Sequence, residues 1–237
     1  MSDLEKIDFS AEVERLRRLA PVRDVDDGVG REAREAERQL ARDVEAAEKR
    51  RKSLGIPRRI FDALESAKTE HPTFSASALW VDERRKNPSA WCLTLSGPKG
   101  CGKSVGGGNA LHDIAGERGG GPSIYANGST RFLRCWWTAA ELAGCGVYSG
   151  ELSALCEYAG PLVLDDLGTE YADAKGFFSQ ILDRLIDARY REYAPTIITT
   201  NLNAKSFGER YGERVVDRLR EGGRFVEFGG VESMRGK

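Results

Sequence analysis

Residues Gly97 to Ser104 read GPKGCGKS, a complete G-x-x-x-x-G-K-[ST] phosphate-binding loop, and this octet constrains the chain more than any other stretch. The apolar run Trp91-Cys92-Leu93-Thr94-Leu95 leads into it, so a strand, a loop and then a helix opening at Ser104 are expected. Gly97, Gly100 and Gly102, with Pro98, Lys99 and Cys101 between them, allow successive backbone N–H groups to turn inward around phosphate oxygens. In that arrangement Lys103 lies on the β- and γ-phosphates and the Ser104 hydroxyl on Mg²⁺. The implied ligands are ATP and Mg²⁺.

A chain of 237 residues holds one large domain, or a core with an appendage. Its formal net charge of -1 gives no global signature of nucleic-acid binding, so any such contact needs a local patch. No stretch approaches the roughly 18 apolar residues of a membrane span, and the polar, acidic start MSDLEKIDFS is unlike a signal peptide. The five cysteines contain no CxxC pair; an odd count without an export signal points to reduced thiols in the cytoplasm and away from zinc. Cys101 serves the loop only as a small side chain.

The first seventy or so residues differ from the rest. Ser10 caps a short helix, AEVERLRRLA, that stops before Pro21, and DVDDGVG (24–30) reads as a loop. Residues 31–54 are rich in Ala, Glu and Arg with many i,i+4 opposite charges, and carry a thin stripe of Ala33, Ala36, Leu40, Val44 and Ala47. That pattern suits either a solvated helix or a helix that docks on a partner protein. The break at Gly55-Ile56-Pro57-Arg58-Arg59 sets the domain boundary, 1–54 against 55–237. Beyond it, strands are expected at Trp91–Ser96, Phe132–Trp137, Leu162–Asp165, Thr196–Thr200 and Arg224–Phe228, alternating with helices as in a parallel α/β sheet. Phe177, Phe178, Ile181, Leu182, Leu185 and Ile186 recur at helical spacing and mark a core-facing helix. The triplets Gly106–Gly108 and Gly119–Gly121 have no account at this level, although each helical Gly costs about 1 kcal/mol relative to Ala.

Leu162-Val163-Leu164-Asp165-Asp166 is an apolar strand ending in two acids, which downstream of a phosphate loop is the Walker B arrangement. Asp165 is placed in the Mg²⁺ shell, and Asp166 where a carboxylate orients the attacking water, with Glu170 as an alternative base. Thr196-Ile197-Ile198-Thr199-Thr200-Asn201 ends at the edge where open α/β sheets bind ligands. Asn201 there either bridges γ-phosphate and water as a sensor or caps the next turn. Arg214 and Arg218, four apart, share a helix face; they are either solvated or reach a neighbour's γ-phosphate.

GPKGCGKS, LVLDDLGTE, PTIITTNL and YGERVVDRLREGGRFVEF, in that order, resemble the ATPase core of the DnaC/IstB family of AAA+ proteins, bacterial and phage helicase loaders and transposition helpers. The resemblance covers about residues 55 to 235. It implies a P-loop NTPase of AAA+ type with a five-stranded sheet in the order 5-1-4-3-2, no helical lid, and ATP held between subunits of a homo-oligomeric ring or spiral. It also implies Arg218 as an arginine finger supplied in trans, with Arg214 supporting. The expected activity is ATP hydrolysis, slow and assembly-dependent, in the service of loading a replicative DNA helicase onto single-stranded DNA. Residues 1–54 are the expected dock for that helicase.

Two departures from the family pattern matter. Trp136 to Gly160, in the segment that faces DNA in such loaders, has no Lys or Arg. Tyr148 or Trp137 can stack on bases, but phosphate contacts fall to Arg131, Arg134 or the cluster Arg50–Lys52 with Arg58–Arg59. The N-terminal region lacks the cysteine-bearing zinc module of some loaders. Alternatives are an IstB-like helper that recruits a transposase, and an adaptor that hydrolyses ATP weakly, since Asp166 stands where many AAA+ proteins have Glu. A small-molecule kinase fits least, for want of an acceptor lid.

Overall fold

The computed structural model describes residues 28–66, 71–117, 123–126, 129–132, 134–170 and 176–229. The expected helix at residues 11–20, the Gly119–Gly121 run and the Arg131 side chain lie outside the described residues.

Contacts divide the chain between Ala46 and Ala47. Helix α1, Gly28–Leu54, starts three residues before Arg31 and takes up residues expected to be loop. Before Ala47 the stripe residues Ala36, Leu40 and Val44 are exposed, Leu40 at 56% and Val44 at 61%. The end of α1 is part of the second unit: Leu54 is buried, and the helix closes in a Schellman turn. There Gly55 (φ +72) and Ile56 send their N–H groups to the Lys52 and Arg51 carbonyls.

The second unit contains α2 (Arg58–Ser66), α3 (Pro72–Lys86), β1 (Cys92–Ser96), α4 (Lys103–Glu117), β2 (Ser123–Ala126), β3 (Ser129–Phe132) and β4 (Trp136–Thr138). It continues through α5 (Ala139–Ala143), α6 (Gly150–Glu157), β5 (Leu162–Leu167), α7 (Phe177–Arg191), β6 (Thr196–Thr200), α8 (Ala204–Tyr211), α9 (Glu213–Arg220) and β7 (Gly223–Glu227). Five strands form one parallel sheet in the order β4-β5-β6-β1-β7. Counting those five alone, this is the expected 5-1-4-3-2 read from the other edge. The expected strand Phe132–Trp137 is corrected: Phe132 ends an antiparallel hairpin, β2–β3, separate from the sheet, and the sheet strand is only Trp136–Thr138.

Central strands are buried on both faces, as a doubly covered parallel sheet requires; β1 and β6 are buried at every residue. One face packs on α5 to α9 through Leu142, Leu152, Leu182, Leu185 and Phe207. The other packs on the end of α1 and on α2, α3 and α4 through Ile60, Phe74, Trp80 and Leu111.

The Gly106–Gly108 run now has a reason, because each glycine faces a different neighbour. A Cβ on Gly106 would lie 2.8 Å from Thr73 Cβ and 2.9 Å from the Thr73 carbonyl of α3. One on Gly108 would meet Ile60 and Leu64 of α2 at 3.0 and 3.1 Å, and one on Gly107 would meet the sheet at 3.4 Å. Ser77 Oγ lies 2.7 Å from the carbonyls of both Thr73 and Gly106, which ties α3 to α4. The helix behind the phosphate loop is thus wedged between two helices and the sheet.

Arg189 of α7 is wholly buried. Its guanidinium donates to the carbonyls of Tyr158, Gly160 and Pro195 and to Thr196 Oγ1, at 2.7–2.8 Å. These lie just before β5 and β6, so one side chain links the entries of two adjacent strands. Burial lowers its pKa to about 10, leaving it charged at neutral pH.

Candidate nucleotide-binding site

The carboxyl ends of β1, β5 and β6 bring the loop, the Asp165–Asp166 pair and Asn201 to one edge, the place where parallel sheets bind ligands. Gly100 and Gly102 have φ of +88° and +84°, backbone that an L side chain rarely adopts, and α4 starts at Lys103. The loop therefore runs through two left-handed glycines directly into a helix N-terminus, which suits an anion.

Lys103 is 5% exposed. Its ammonium donates to the Gly97 and Pro98 carbonyls at 2.9 and 2.8 Å and to Asn201 Oδ1 at 2.9 Å. Asn201 is thereby tied to the loop by its side chain; the next helix is capped by Asn203, whose Oδ1 accepts from Ser206 N.

Asp165 is 3% exposed and accepts hydrogen bonds from Thr199 Oγ1 at 2.7 Å and from Ser104. Burial pushes its carboxyl above the usual range, Thr199 and Ser104 oppose that shift, and the neighbouring Asp166 charge adds to it. Arg59 of α2, whose side chain is exposed, also lowers it, as the smallest of these influences on Asp165. Thr199 Oγ1 also lies 2.9 Å from the Asp166 N–H as its acceptor, so one hydroxyl spaces both acids.

Asp166 has φ +59°, uncommon for a residue other than Gly, at a register shift between Leu164 and Leu167 in the β5–β6 ladder. The bulge turns its side chain out of the strand's alternation. Its carbonyl accepts from Thr169 Oγ1 and N, while none of the described residues hydrogen-bonds its carboxylate. A half-buried carboxylate beside the loop, with free acceptor capacity, can take a proton from water or orient it.

Glu170, the alternative base, is committed elsewhere. Its carboxylate accepts from Arg210 Nε at 2.8 Å, Tyr211 OH at 2.7 Å and Gly168 N at 2.8 Å, which makes it a brace between β5 and α8.

Arg214 and Arg218 share a face of α9 but differ in exposure. Arg218 has a side chain only 15% exposed, paired with Asp183 Oδ1 at 3.1 Å and in close contact with Asp187 Oδ1. Arg214 is 65% exposed, with the same two acids at 3.5 and 3.6 Å.

Among the candidate DNA contacts, Trp137 is covered: it is 7% exposed, its indole N–H donates to the Arg134 carbonyl, and the Arg134 guanidinium lies 4.7 Å from its ring centroid. Tyr148 is 92% exposed, on a loop held from below by Arg184, which donates to the Val147 carbonyl. Arg134 pairs with Glu141, Arg50 donates to the His112 carbonyl, and Arg51 pairs with Glu48; Lys52 and Arg58 are largely exposed, 3.8 Å from Glu48 and 3.7 Å from Asp62 respectively.

Sequence reasoning misses two contributors. Thr199 is hidden inside a β-branched strand, where its paired position opposite the acids is the signal. Arg59 reads only as part of a basic cluster. Among the described residues no group of acids, cysteines and histidines is arranged to hold a metal alone. A cation here would be shared between Ser104, Asp165 and a phosphate. Among the described residues no helix is long and apolar enough to cross a membrane.

Neither a family model nor a curated protein matches the chain. Solved structures do. The crystal structure of the DnaC helicase loader aligns with a TM-score of 0.55 at 22% identity, over 73% of this chain and 100% of that one. DnaI aligns with a TM-score of 0.54 at 18% identity, over 73% and 94%. AMPPCP-bound DnaA from Aquifex aeolicus aligns with a TM-score of 0.51 at 17% identity, over 70% and 49%. With the phosphate loop, the acidic strand end and the strand order in place, the chain has the AAA+ fold of the DnaC and DnaI cores.

Proposed function

We propose that the chain is an ATP-binding and ATP-hydrolysing AAA+ protein that loads a replicative DNA helicase onto single-stranded DNA. The observation that carries the ATPase reading is the junction of Lys103, Asn201, Ser104, Asp165 and Thr199 at one sheet edge. The loading role is supported by the shared fold with DnaC and DnaI.

The N–H groups of Lys99, Gly100 and Gly102 would cradle the phosphates, and Lys103 would exchange the loop carbonyls for phosphate oxygens while keeping Asn201. The residues fit a divalent cation, since Ser104 and Asp165 offer hard oxygen donors already in contact. Mg²⁺ bound there would neutralise developing phosphate charge. Asp166 would orient the attacking water, with Asn201 between water and γ-phosphate. One arginine of the α9 pair would reach the nucleotide of a neighbouring copy, so turnover would depend on assembly. Residues 1–54 would dock the helicase, and Tyr148 would stack on a base.

The test is steady-state ATP hydrolysis by the full chain, alone and with single-stranded DNA and a replicative helicase. Stimulation by helicase and DNA, lost in Lys103→Ala, is the expected result. ATP binding with no turnover under any of these conditions would refute the enzyme and leave the adaptor. Stimulation by a transposase on duplex DNA, with none by helicase, would move the protein to the transposition helpers.

A further inference from the structure

We infer that Glu170 is a positioning residue for Asp166: its buried carboxylate ties the turn that carries Asp166 to α8, and so keeps Asp166 in a fixed relation to Asn201. This rests on the ATPase reading above and names what sets the geometry on the water's side of that site.

Asp166 needs such a support. Its φ of +59° falls in a backbone region that residues other than Gly occupy sparsely, and such a conformation persists only where the surroundings over-determine it. The register shift between Leu164 and Leu167 also takes Asp166 out of the regular β5–β6 ladder. Its N–H is held by Thr199 Oγ1 and its carbonyl by Thr169, yet neither contact fixes where the turn lies against the next helix.

Glu170 does fix it. Its side chain is 2% exposed, and its two oxygens face different partners. Oε2 accepts from Gly168 N at 2.8 Å, inside the turn. Oε1 accepts from Arg210 Nε and Tyr211 OH at the end of α8, and Arg210 Nη2 returns to the Glu170 carbonyl at 2.7 Å. Burial, and then the Glu170 carboxylate, push the Tyr211 hydroxyl well above its ordinary range, so it stays a donor at neutral pH.

The other end of α8 closes the circuit. The helix starts at Ala204, three residues after Asn201. Between them Leu202 packs on the turn: a Cβ on Gly168 (φ +100°) would stand 2.9 Å from Leu202 Cγ. The Leu202 carbonyl accepts from Ser96 Oγ, just before the phosphate loop. Its N–H donates to Thr200 Oγ1, which in turn donates to the Leu167 carbonyl. Asp166, Gly168, Glu170, α8, Leu202 and Asn201 thus form a closed ring of contacts. The two side chains assigned to water and γ-phosphate cannot shift separately while Glu170 holds, and a misplacement of about 1 Å at such a site costs about 10²-fold in rate.

The test uses the full chain under the conditions that give assembly-dependent hydrolysis. It reads kcat and KM for ATP well below the melting temperature of each variant, and the melting temperature itself. Glu170→Ala should lower kcat by about 10²-fold with KM nearly unchanged, because none of Glu170's hydrogen bonds reaches the phosphate loop. Glu170→Gln offers one acceptor oxygen where three donors converge on two, and should fall between. Tyr211→Phe keeps the buried volume and removes one donor; it should lower kcat severalfold, and it stands in if Glu170→Ala does not fold. The deciding measurement is a double-mutant cycle with Asp166→Ala, since a residue that acts through Asp166 adds no further loss of kcat in that background. A brace that only stabilises would lower the melting temperature and leave kcat alone. Unchanged kcat in Glu170→Ala (or in its stand-in), or a loss that adds to that of Asp166→Ala, would overturn the positioning role and leave the ATPase reading standing. No assembly-dependent turnover in the unaltered chain would overturn both.

Discussion

Gly106→Ala and Gly107→Ala exchange the same atoms in adjacent positions of one helix and should move stability in opposite directions. Each gains about 1 kcal/mol of helix propensity. At Gly107 the new methyl meets Thr199, Ile197 and Val163 at 3.4–3.8 Å, which is ordinary contact. The gain there survives, and a rise in melting temperature of about 2–4 °C is expected for a chain of this size. At Gly106 the methyl would stand 2.8 and 2.9 Å from Thr73 Cβ and the Thr73 backbone carbonyl, neither the end of a flexible side chain. Separating α3 from α4 also stretches the Ser77 contact to the Gly106 carbonyl. Overpacking of that kind costs about 1–3 kcal/mol, so the net effect is a loss of about 1 kcal/mol and a spread of about 2 kcal/mol between the variants. Thermal and urea unfolding, followed by tryptophan fluorescence, measures both. Gly106→Ala melting at or above Gly107→Ala would refute the wedge.

The buried carboxyl of Asp165 supplies a pH test. Between its unfolded pKa and its raised folded value the native chain binds more protons than the unfolded chain, so this group's contribution to stability falls as pH rises through that window. Asp165→Asn should raise the melting temperature of the nucleotide-free chain at pH 7 and flatten that slope, yet abolish Mg²⁺-dependent ATP hydrolysis; equal melting curves would count against a burial penalty. Asn201→Ala should leave ATP affinity, read by fluorescent-nucleotide titration, within a fewfold while reducing turnover by about 10²-fold if it orients the water. Unchanged turnover would assign it to holding Lys103. Burial pushes the Cys92 thiol up to about 12, so mass spectrometry after iodoacetamide at pH 8 should find it unmodified in the native chain and modified in urea; native labelling would disprove its burial.

The parts of the molecule that are legible in the sequence are those where chemistry dictates a local pattern. The phosphate loop needs glycines at fixed spacing and α7 needs its 3.6-residue stripe, and both lie where the sequence places them; Asp165 and Asp166 follow the expected apolar run, but at a register shift inside β5, which continues to Leu167. The β2–β3 hairpin escapes such a reading although Asn127-Gly128, between SIYA and STRF, is a strong two-residue turn signal. Joining Phe132 with Trp136 and Trp137 into one apolar run obscures it. Tertiary contacts account for the rest. Nothing local distinguishes Arg214 from Arg218; the difference comes from Asp183 and Asp187, some thirty residues earlier. Glu170 is likewise withdrawn from the site by Arg210 and Tyr211. The glycine run looks like a flaw in a helix until its three neighbours are known.

Arg189 bears on how this sheet avoids pairing wrongly. A parallel ladder offers little resistance to slippage when both strands are uniformly apolar, as Leu162-Val163-Leu164 and Ile197-Ile198 are. Here any shift of β6 against β5 would carry Pro195 and Thr196 away from Tyr158 and Gly160, and one guanidinium could no longer reach all four. The misaligned state would hold a cation in the core with acceptors missing, a penalty far above any packing that sliding could recover. The residue adds little to the depth of the native minimum. Its effect is to raise the neighbouring ones, and so to hold Asp165 opposite Thr199.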